Sequence, residues 1–393
     1  MSFVLYSLVL LAAGAAWNFH LGMAPVALSL LLPVVATRIK TWPRRWAAAA
    51  GYMAASMFSI AQSYPVFFPG ASAFFGALLW LGAAVVAGAP YMIAKDGKRA
   101  VLAALLQALP PLGVIAFVSP LDASGLLFPH MGLSGVVLLL VLIYVWCDGL
   151  ESMLKPGGGY VAKDTFWTTL KPNLALLLPL LAMIMHFWIG ASQPQAPTAW
   201  TGVSTVHLMP DRGNVFASLA NTNDVVQSAS RAAPSAKFVL LPEAVLGDAY
   251  PGTLADVQNA VLKGKTWLIG VENGRTDSVW EFSRGVRPHP VFESAMPMPG
   301  AMWRPWSPRS YAAQWFTRVR RIGTEKVFAS ICDEQVMPWV WLEAAWQRPT
   351  LILAPSNAWW AASHNAAPRI QRLQLRAWAS LLNAPVIRAI NSR

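Results

Sequence analysis

The stretch Phe328-Ala329-Ser330-Ile331-Cys332-Asp333-Glu334-Gln335 decides how the chain is read. Its apolar first half is short enough for a buried strand, and it ends in a cysteine followed at once by two acids. A thiol attacks a carbonyl carbon only as its thiolate, so a catalytic cysteine needs a base or a positive charge beside it. A buried structural thiol is the other reading of the same residues. What surrounds the stretch separates the two.

Working outward, the residues beyond Gln193 alternate short apolar runs with amphipathic ones. Val203–Leu208, Lys237–Leu241, Thr266–Val271, Ser278–Arg284, Leu351–Ala354 and Val386–Ile390 read as strands. Asn214–Ala232, Leu254–Lys263, a segment after Pro338, and Pro368–Leu382 read as helices. The alternation predicts a mixed sheet with its site at strand ends. Lys237–Leu241 is almost wholly apolar, as in a strand buried on both faces, and it runs into Pro242-Glu243. Glu243 and Cys332 therefore each follow a buried strand. A carboxylate brought beside a thiol can take its proton and later return it to a leaving group. A surface glutamate at a strand end is the alternative. Arg287–Pro308 is rich in proline, with Met and Trp between, and reads as a long loop over a site or against a membrane surface.

The first half of the chain has a different character. Of 393 residues, 55% are hydrophobic and only 12% charged, mean hydropathy is +0.44, and there are 19 Trp. These values belong to a membrane protein. About seven apolar runs are expected as spanning helices: Phe3–Trp17, Gly22–Thr37, Trp46–Phe67, Ala71–Ala94, Val101–Pro120, Gly132–Cys147 and Asn173–Ser192. No Lys or Arg precedes Arg38, so the first run lacks the basic flank of a secretory signal and reads as a retained helix. Basic residues gather in alternate loops, at Arg38–Arg45, Lys95–Arg99 and Lys155–Lys171. They place the N-terminus in the cytoplasm and everything after Ser192 in the periplasm of the bacterial inner membrane. The net charge of +12 reports this topology; no basic stripe with a DNA-binding motif accompanies it, and no nucleic-acid partner is expected. Polar residues within the runs are few, with Gln107 and His186 the obvious ones, and they form no relay that would suggest a transporter. The two cysteines, Cys147 and Cys332, predict no disulfide framework. The expected division is residues 1–192 in the membrane, 193–200 as a proline-containing linker, and 201–393 as the periplasmic domain.

The order of motifs resembles the nitrilase, or carbon–nitrogen hydrolase, superfamily, and within it the membrane branch typified by apolipoprotein N-acyltransferase. The likeness rests on Leu240-Leu241-Pro242-Glu243, Ile331-Cys332-Asp333-Glu334, Pro355-Ser356-Asn357-Ala358-Trp359-Trp360, Gln371–Ala377 and Val386–Asn391. It implies an α+β chain: a multi-helix transmembrane domain followed by an αββα sandwich carrying a Glu-Lys-Cys triad. Carried across, Cys332 is the nucleophile that takes an acyl group as a thioester, Glu243 the general base and acid, and Glu334 a second carboxylate. The family's oxyanion-stabilising lysine falls nearest Arg287, in Arg287-Pro288-His289-Pro290-Val291, with Lys326 a weaker substitute. A guanidinium in that place departs from the family pattern. Glu293, Asn357 and Trp359 are expected to bind substrate. The turn also lacks the family's aspartate, Ala358 following Asn357 directly, and the chain stops at Arg393 where the family continues to a last membrane helix. In this it looks most like the shortened conjugal-transfer TraB proteins. The resemblance implies acyl transfer or amide hydrolysis without metal or cofactor, with a phospholipid as donor and a pilin or other envelope protein as acceptor. A degenerate scaffold of a conjugation apparatus, without catalysis, is the alternative.

Overall fold

The computed structural model describes residues 3–70, 72–154, 194–206, 214–232, 234–248, 250–361 and 365–392, and the side chains of all of these except 149–154. The expected span Asn173–Ser192, with His186 and the basic residues Lys155, Lys163 and Lys171, lies outside them. The chain is mixed α/β, helical in its N-terminal half and sheet-forming in its C-terminal half, and divides into two compact units. Met1–Ser192, Val336–Trp339 and Arg369–Asn383 form the first; Gln193–Gln335, Val340–Pro368 and Ala384–Arg393 form the second.

In the first unit, α1 (Phe3–Ala15), α2 (Ala24–Leu28), α3 (Leu31–Arg38), α4 (Trp42–Ser56), α5 (Ser59–Phe67), α6 (Ala73–Gly88), α7 (Gly97–Ala108), α8 (Ser124–Leu127) and α9 (Gly132–Leu154) follow the apolar runs. Three of the expected single spans are broken. Gly22–Thr37 divides into α2 and α3, and Trp46–Phe67 into α4 and α5. Val101–Pro120 is helical only to Ala108, because Pro110 and Pro111 offer no N–H to continue the ladder. Among the described residues, one unbroken helix is long and apolar enough to cross a bilayer, Ala73–Ile93. The pair Pro120–Leu127 and Gly132–Asp148, bent by 116°, is the other candidate. Polar groups are turned inward here. The buried Trp17 Nε1 donates to Tyr52 at 3.0 Å, and the buried Tyr91 hydroxyl donates to Gln107 Oε1 at 3.1 Å. Phe74, Phe75 and Leu78 of α6 meanwhile stand half exposed or more.

The second unit carries two five-stranded sheets, in the orders β1-β3-β4-β5-β6 and β2-β10-β9-β8-β7. Their strands are β1 (Trp200–Gly202), β2 (Thr205–Val206), β3 (Phe238–Leu240), β4 (Thr266–Asn273), β5 (Thr276–Ser283), β6 (Val286–Glu293), β7 (Arg320–Ile322), β8 (Glu325–Ala329), β9 (Leu351–Asn357) and β10 (Val386–Ser392). Alternation along each strand gives every sheet two faces. Leu240, Leu268 and Val279 of the first sheet share one buried cluster with Val327, Leu353 and Ile387 of the second, so the sheets pack face to face. On the first sheet's outer face, Trp267, Ile269 and Phe282 pack with Val225 of α10 (Val215–Ser230) and Val257 of α11 (Pro251–Ala260). On the second's outer face, Phe328 meets Trp341 of α12 (Pro338–Gln347) edge-on at 5.2 Å. The expected loop Arg287–Pro308 is corrected at its start, where Val286–Glu293 forms β6. Pro288 and Pro290 are tolerated there because β6 is the edge strand and its ladder with β5 is irregular.

The unit boundary departs from chain order at Val336–Trp339 and again at the last helix. The last helix, α13 (Ala367–Leu382), lies between β9 and β10 in sequence, yet Arg369–Asn383 belongs with the N-terminal helices. Trp378 Nε1 donates to Asp122 Oδ1 at 3.0 Å, Gln374 Nε2 to Phe117 O at 2.6 Å, and Arg369 Nη2 to Trp17 O at 2.7 Å. Removing the fully buried Trp378 leaves a cavity and takes the donor from Asp122 Oδ1, whose Oδ2 keeps the Ser119 N–H at 2.9 Å. Trp378→Ala is expected to cost about 3–5 kcal/mol in denaturant unfolding, and Trp378→Phe, which keeps most of the bulk, about 1–3 kcal/mol.

Candidate active site

Cys332 opens a 3-10 turn, Cys332–Val336, just past β8, and Glu243 lies just past β3. The two strands belong to different sheets, so the face-to-face packing sets the two residues at neighbouring strand ends. Both turns hold a left-handed residue. Cys332 has φ 45° and Ala244, directly after Glu243, has φ 53°, each costing a side-chain-bearing residue roughly 1 kcal/mol. Gly270 of β4 lets the Glu243 turn close: a Cβ there would fall on Pro242 O, Glu243 Cα and Ala244 N.

Asn357, at the end of β9, joins the two turns. Its N–H donates to Glu243 Oε2 at 2.9 Å and its Nδ2 to Glu243 O at 3.3 Å. Its own carbonyl receives Trp360 Nε1 at 2.8 Å and the Cys332 thiol at 3.9 Å. Asn391 Nδ2 donates to Asn357 Oδ1 at 3.0 Å, and Thr205 Oγ1 to Asn391 Oδ1 at 2.9 Å, which fixes the amide orientation. The Cys332 thiol is also a hydrogen-bond partner of the Glu243 carboxyl. Burial, then the Glu243 charge, pushes this thiol well above its ordinary range. The resting sulfur is therefore protonated, and activation needs a base that takes the proton as attack proceeds. Burial raises Glu243 to about 7, against donors from Cys332, Asp277 and Asn357 that pull it down.

Glu334 is held rather than free. Its Oε1 accepts Ser294 Oγ at 2.9 Å and the Ala295 and Met296 N–H groups, while Oε2 accepts Ile331 N at 2.7 Å. The carboxyl thus pins the segment after β6 to Ile331, the residue before Cys332. Two further acids come from the β4–β5 hairpin. Glu272 and Asp277 are register partners across it, both buried, and the Asp277 carboxyl is hydrogen-bonded to Glu243. Nothing in the sequence reading singled them out. The signal was present, since two acids flank the Asn273-Gly274 turn at paired positions, and like charges directly opposed in a sheet repel.

The structure brings together Cys332, Glu243, Glu334 and Asn357 of the expected residues. Asn357 braces the two turns through its bonds to Glu243. Trp359, half-buried, stands on the same turn, its N–H on Asn357 Oδ1 at 3.5 Å. Glu293 is exposed at the end of β6, next to Ser294. Arg287 is not at the site. It is exposed near the other end of β6, seven residues before Ser294 and so about 23 Å away along an extended strand. Lys326 is likewise exposed at the far end of β8, about 20 Å along the chain from Cys332. Motif spacing misled here, because the arginine that aligns in sequence falls before the strand has crossed the sheet.

Asp333 and Glu334 are raised to about 7, both primarily by burial, and Asp277 well above the carboxylate range, again by burial and then by the Glu243, Glu272 and Glu334 charges. Unfolded, such groups titrate near 4, so the folded chain binds more protons across about pH 4–7. Stability from these acids is therefore full below that window and falls as pH rises through it. The thermal midpoint is expected to be lower at pH 8 than at pH 5. Asp333→Asn, which removes the acid shifted by burial alone, should flatten that slope and gain on the order of 1–3 kcal/mol at pH 8.

No protein-family model matches the chain. It is 27% identical over 399 residues to the "Probable conjugal transfer protein TraB" of Sinorhizobium fredii, an alignment covering 96% of this chain and 94% of that protein. It is also 27% identical over 421 residues to the "Conjugal transfer protein TraB" of Agrobacterium fabrum, covering 98% of this chain and 92% of that one.

Proposed function

We propose that the chain is a membrane-bound, cysteine-dependent acyl-transfer enzyme of the nitrilase type that serves conjugal transfer. One observation carries the reading: the Cys332 thiol, on a left-handed turn at a strand end, hydrogen-bonded to a buried Glu243 that is itself fixed by Asn357. The two face-to-face sheets with helices outside them support a nitrilase-like αββα sandwich. The relatives named for conjugal transfer, matched over nearly their full length, support the biological setting. Inward polar groups and outward aromatic and leucine side chains in the first unit support a lipid setting. The alternating basic loops favour a cytoplasmic N-terminus and a periplasmic second unit.

Chemically, Glu243 takes the thiol proton while sulfur attacks the carbonyl carbon of a phospholipid ester or an amide. The tetrahedral intermediate collapses, the alcohol or amine leaves with the proton from Glu243, and an acyl thioester remains on Cys332. An amine of an envelope protein such as a pilin, or water, then gives a proton to Glu243 and attacks the thioester, and that proton returns to the departing sulfur. Cys332→Ala is expected to abolish transfer, since removing a nucleophile costs roughly 10⁴-fold or more. Intact-mass measurement of the purified chain after incubation with phospholipid vesicles should show an acyl adduct on the wild type that hydroxylamine removes and Cys332→Ala lacks. A scaffold without catalysis is the second reading. It is favoured by the acidic surroundings of the thiol, where the charged neighbours among the described residues are Glu243 and Asp333 and the family's lysine is not matched. Full conjugation by Cys332→Ala, with no adduct on wild type, would establish the scaffold instead.

A further inference from the structure

Glu243 touches a second acid, and that contact carries a consequence for the chemistry. The Asp277 and Glu243 carboxyls are hydrogen-bonded to each other, which two carboxylates cannot be unless one of them holds a proton. Geometry decides which. Glu243 receives donors from two other directions, the Asn357 N–H at 2.9 Å and the Cys332 thiol, and each favours its ionised form. Asp277 faces the opposite situation: it stands across the hairpin from Glu272, feels Glu334 as well, and its buried Oδ1 has no hydrogen-bond partner among the described residues. The proton belongs on Asp277.

We infer that Asp277 is a positioning residue of the site: as a neutral acid it donates to the Glu243 carboxylate, and so keeps that base ionised and aimed at the Cys332 thiol. The inference rests on Cys332 being a nucleophile. Cys332, Glu243 and Asp277 then form one hydrogen-bonded chain running from the second sheet into the β5 strand of the first. Among the described residues, the charged and titratable groups facing it include Asp333 beside the thiol, Glu272 beside Glu243 and Asp277, and Glu334 beside Asp277. Burial and these charges push Asp277 well above the usual carboxylate range, in agreement with its holding a proton at neutral pH.

The test is the rate at which iodoacetamide alkylates Cys332 in the purified full chain, read by peptide mass mapping across about pH 5–9. In the wild type the rate should rise along a limb set by ionisation of Glu243, and Glu243→Gln should remove that limb. Asp277→Ala deletes the donor, so Glu243 holds its proton to higher pH and the limb should move up by about one pH unit. Asp277→Asn keeps an N–H in the donor's place and should leave the limb where it was. A limb that moves down in both variants, as loss of a negative charge would cause, overturns the inference, and so does one that moves in neither. A protonated-carboxyl infrared band at about pH 9 should be present in wild type and lost in Asp277→Asn, which tests the same assignment if Asp277→Ala does not fold. Absence of that band overturns it. A wild-type Cys332 that iodoacetamide never alkylates, or a profile indifferent to Glu243→Gln, defeats the nucleophile reading and the inference together.

Discussion

The two hydrogen bonds between Asn357 and Glu243, at 2.9 and 3.3 Å, are the constraint on which the site depends. Glu243 ends a strand of one sheet and Cys332 follows a strand of the other, so nothing local fixes their separation. Hydrophobic packing between the sheets sets it only as closely as side chains can be repacked, whereas two directed bonds specify it to a few tenths of an ångström. Asn357 can serve because its own side chain is held by Asn391, and Asn391 by Thr205. Three strands of the second sheet thus orient one carboxylate of the first.

That precision has a cost in stability which the surrounding residues must offset. Two non-glycine residues are left-handed at the site, and several acids are buried beside one another. Each buried carboxyl favours its neutral form, and the pairs that touch must share protons. Glu334 escapes part of this cost by collecting four donors, and its reward is structural, since it holds the segment after β6 against the turn that bears the thiol. Asp333 collects none that offset its burial among the described residues.

Much of the second unit was legible in the sequence, and the reason is physical. Near-continuous apolar runs such as Phe238–Leu241 and Leu351–Ala354 can be satisfied only by strands covered on both faces, and a reactive residue at the end of such a run has few alternatives. Hence Cys332 and Glu243 were found where the structure has them. What failed was any inference that needed length along a strand. Arg287 matched the motif on which the resemblance rests, but the strand Val286–Glu293 carries it away from the site while carrying Ser294 toward it. The prolines that suggested a loop there are compatible with an edge strand. Helix continuity was not legible for a related reason: hydropathy measures how apolar a run is and not whether its backbone ladder is continuous, so the breaks at Ser29–Leu30, Met57–Phe58 and Pro110–Pro111 went unseen. The α13 helix was expected at its place in the chain, yet amphipathic pattern alone could not say which unit its apolar face would join.

The Glu272–Asp277 pair bears on what kind of catalyst this site can be. A lysine in a Glu-Lys-Cys arrangement supplies fixed charge, lowering the thiol's proton affinity and meeting the oxyanion at the same time. Among the described residues, Glu243 and Asp333 are acids that act in the opposite direction on the thiol. On the proposed reading of Cys332 as a nucleophile, a preformed thiolate is disfavoured and reactivity comes from proton transfer concerted with attack, which makes the ionisation state of Glu243 the controlling variable. A neutral acid donating to Glu243 is the arrangement that holds such a base ionised without adding another negative charge beside the sulfur. An ionised Asp277 would raise the proton affinity of base and thiol together, and the site would lose the difference between them on which transfer depends.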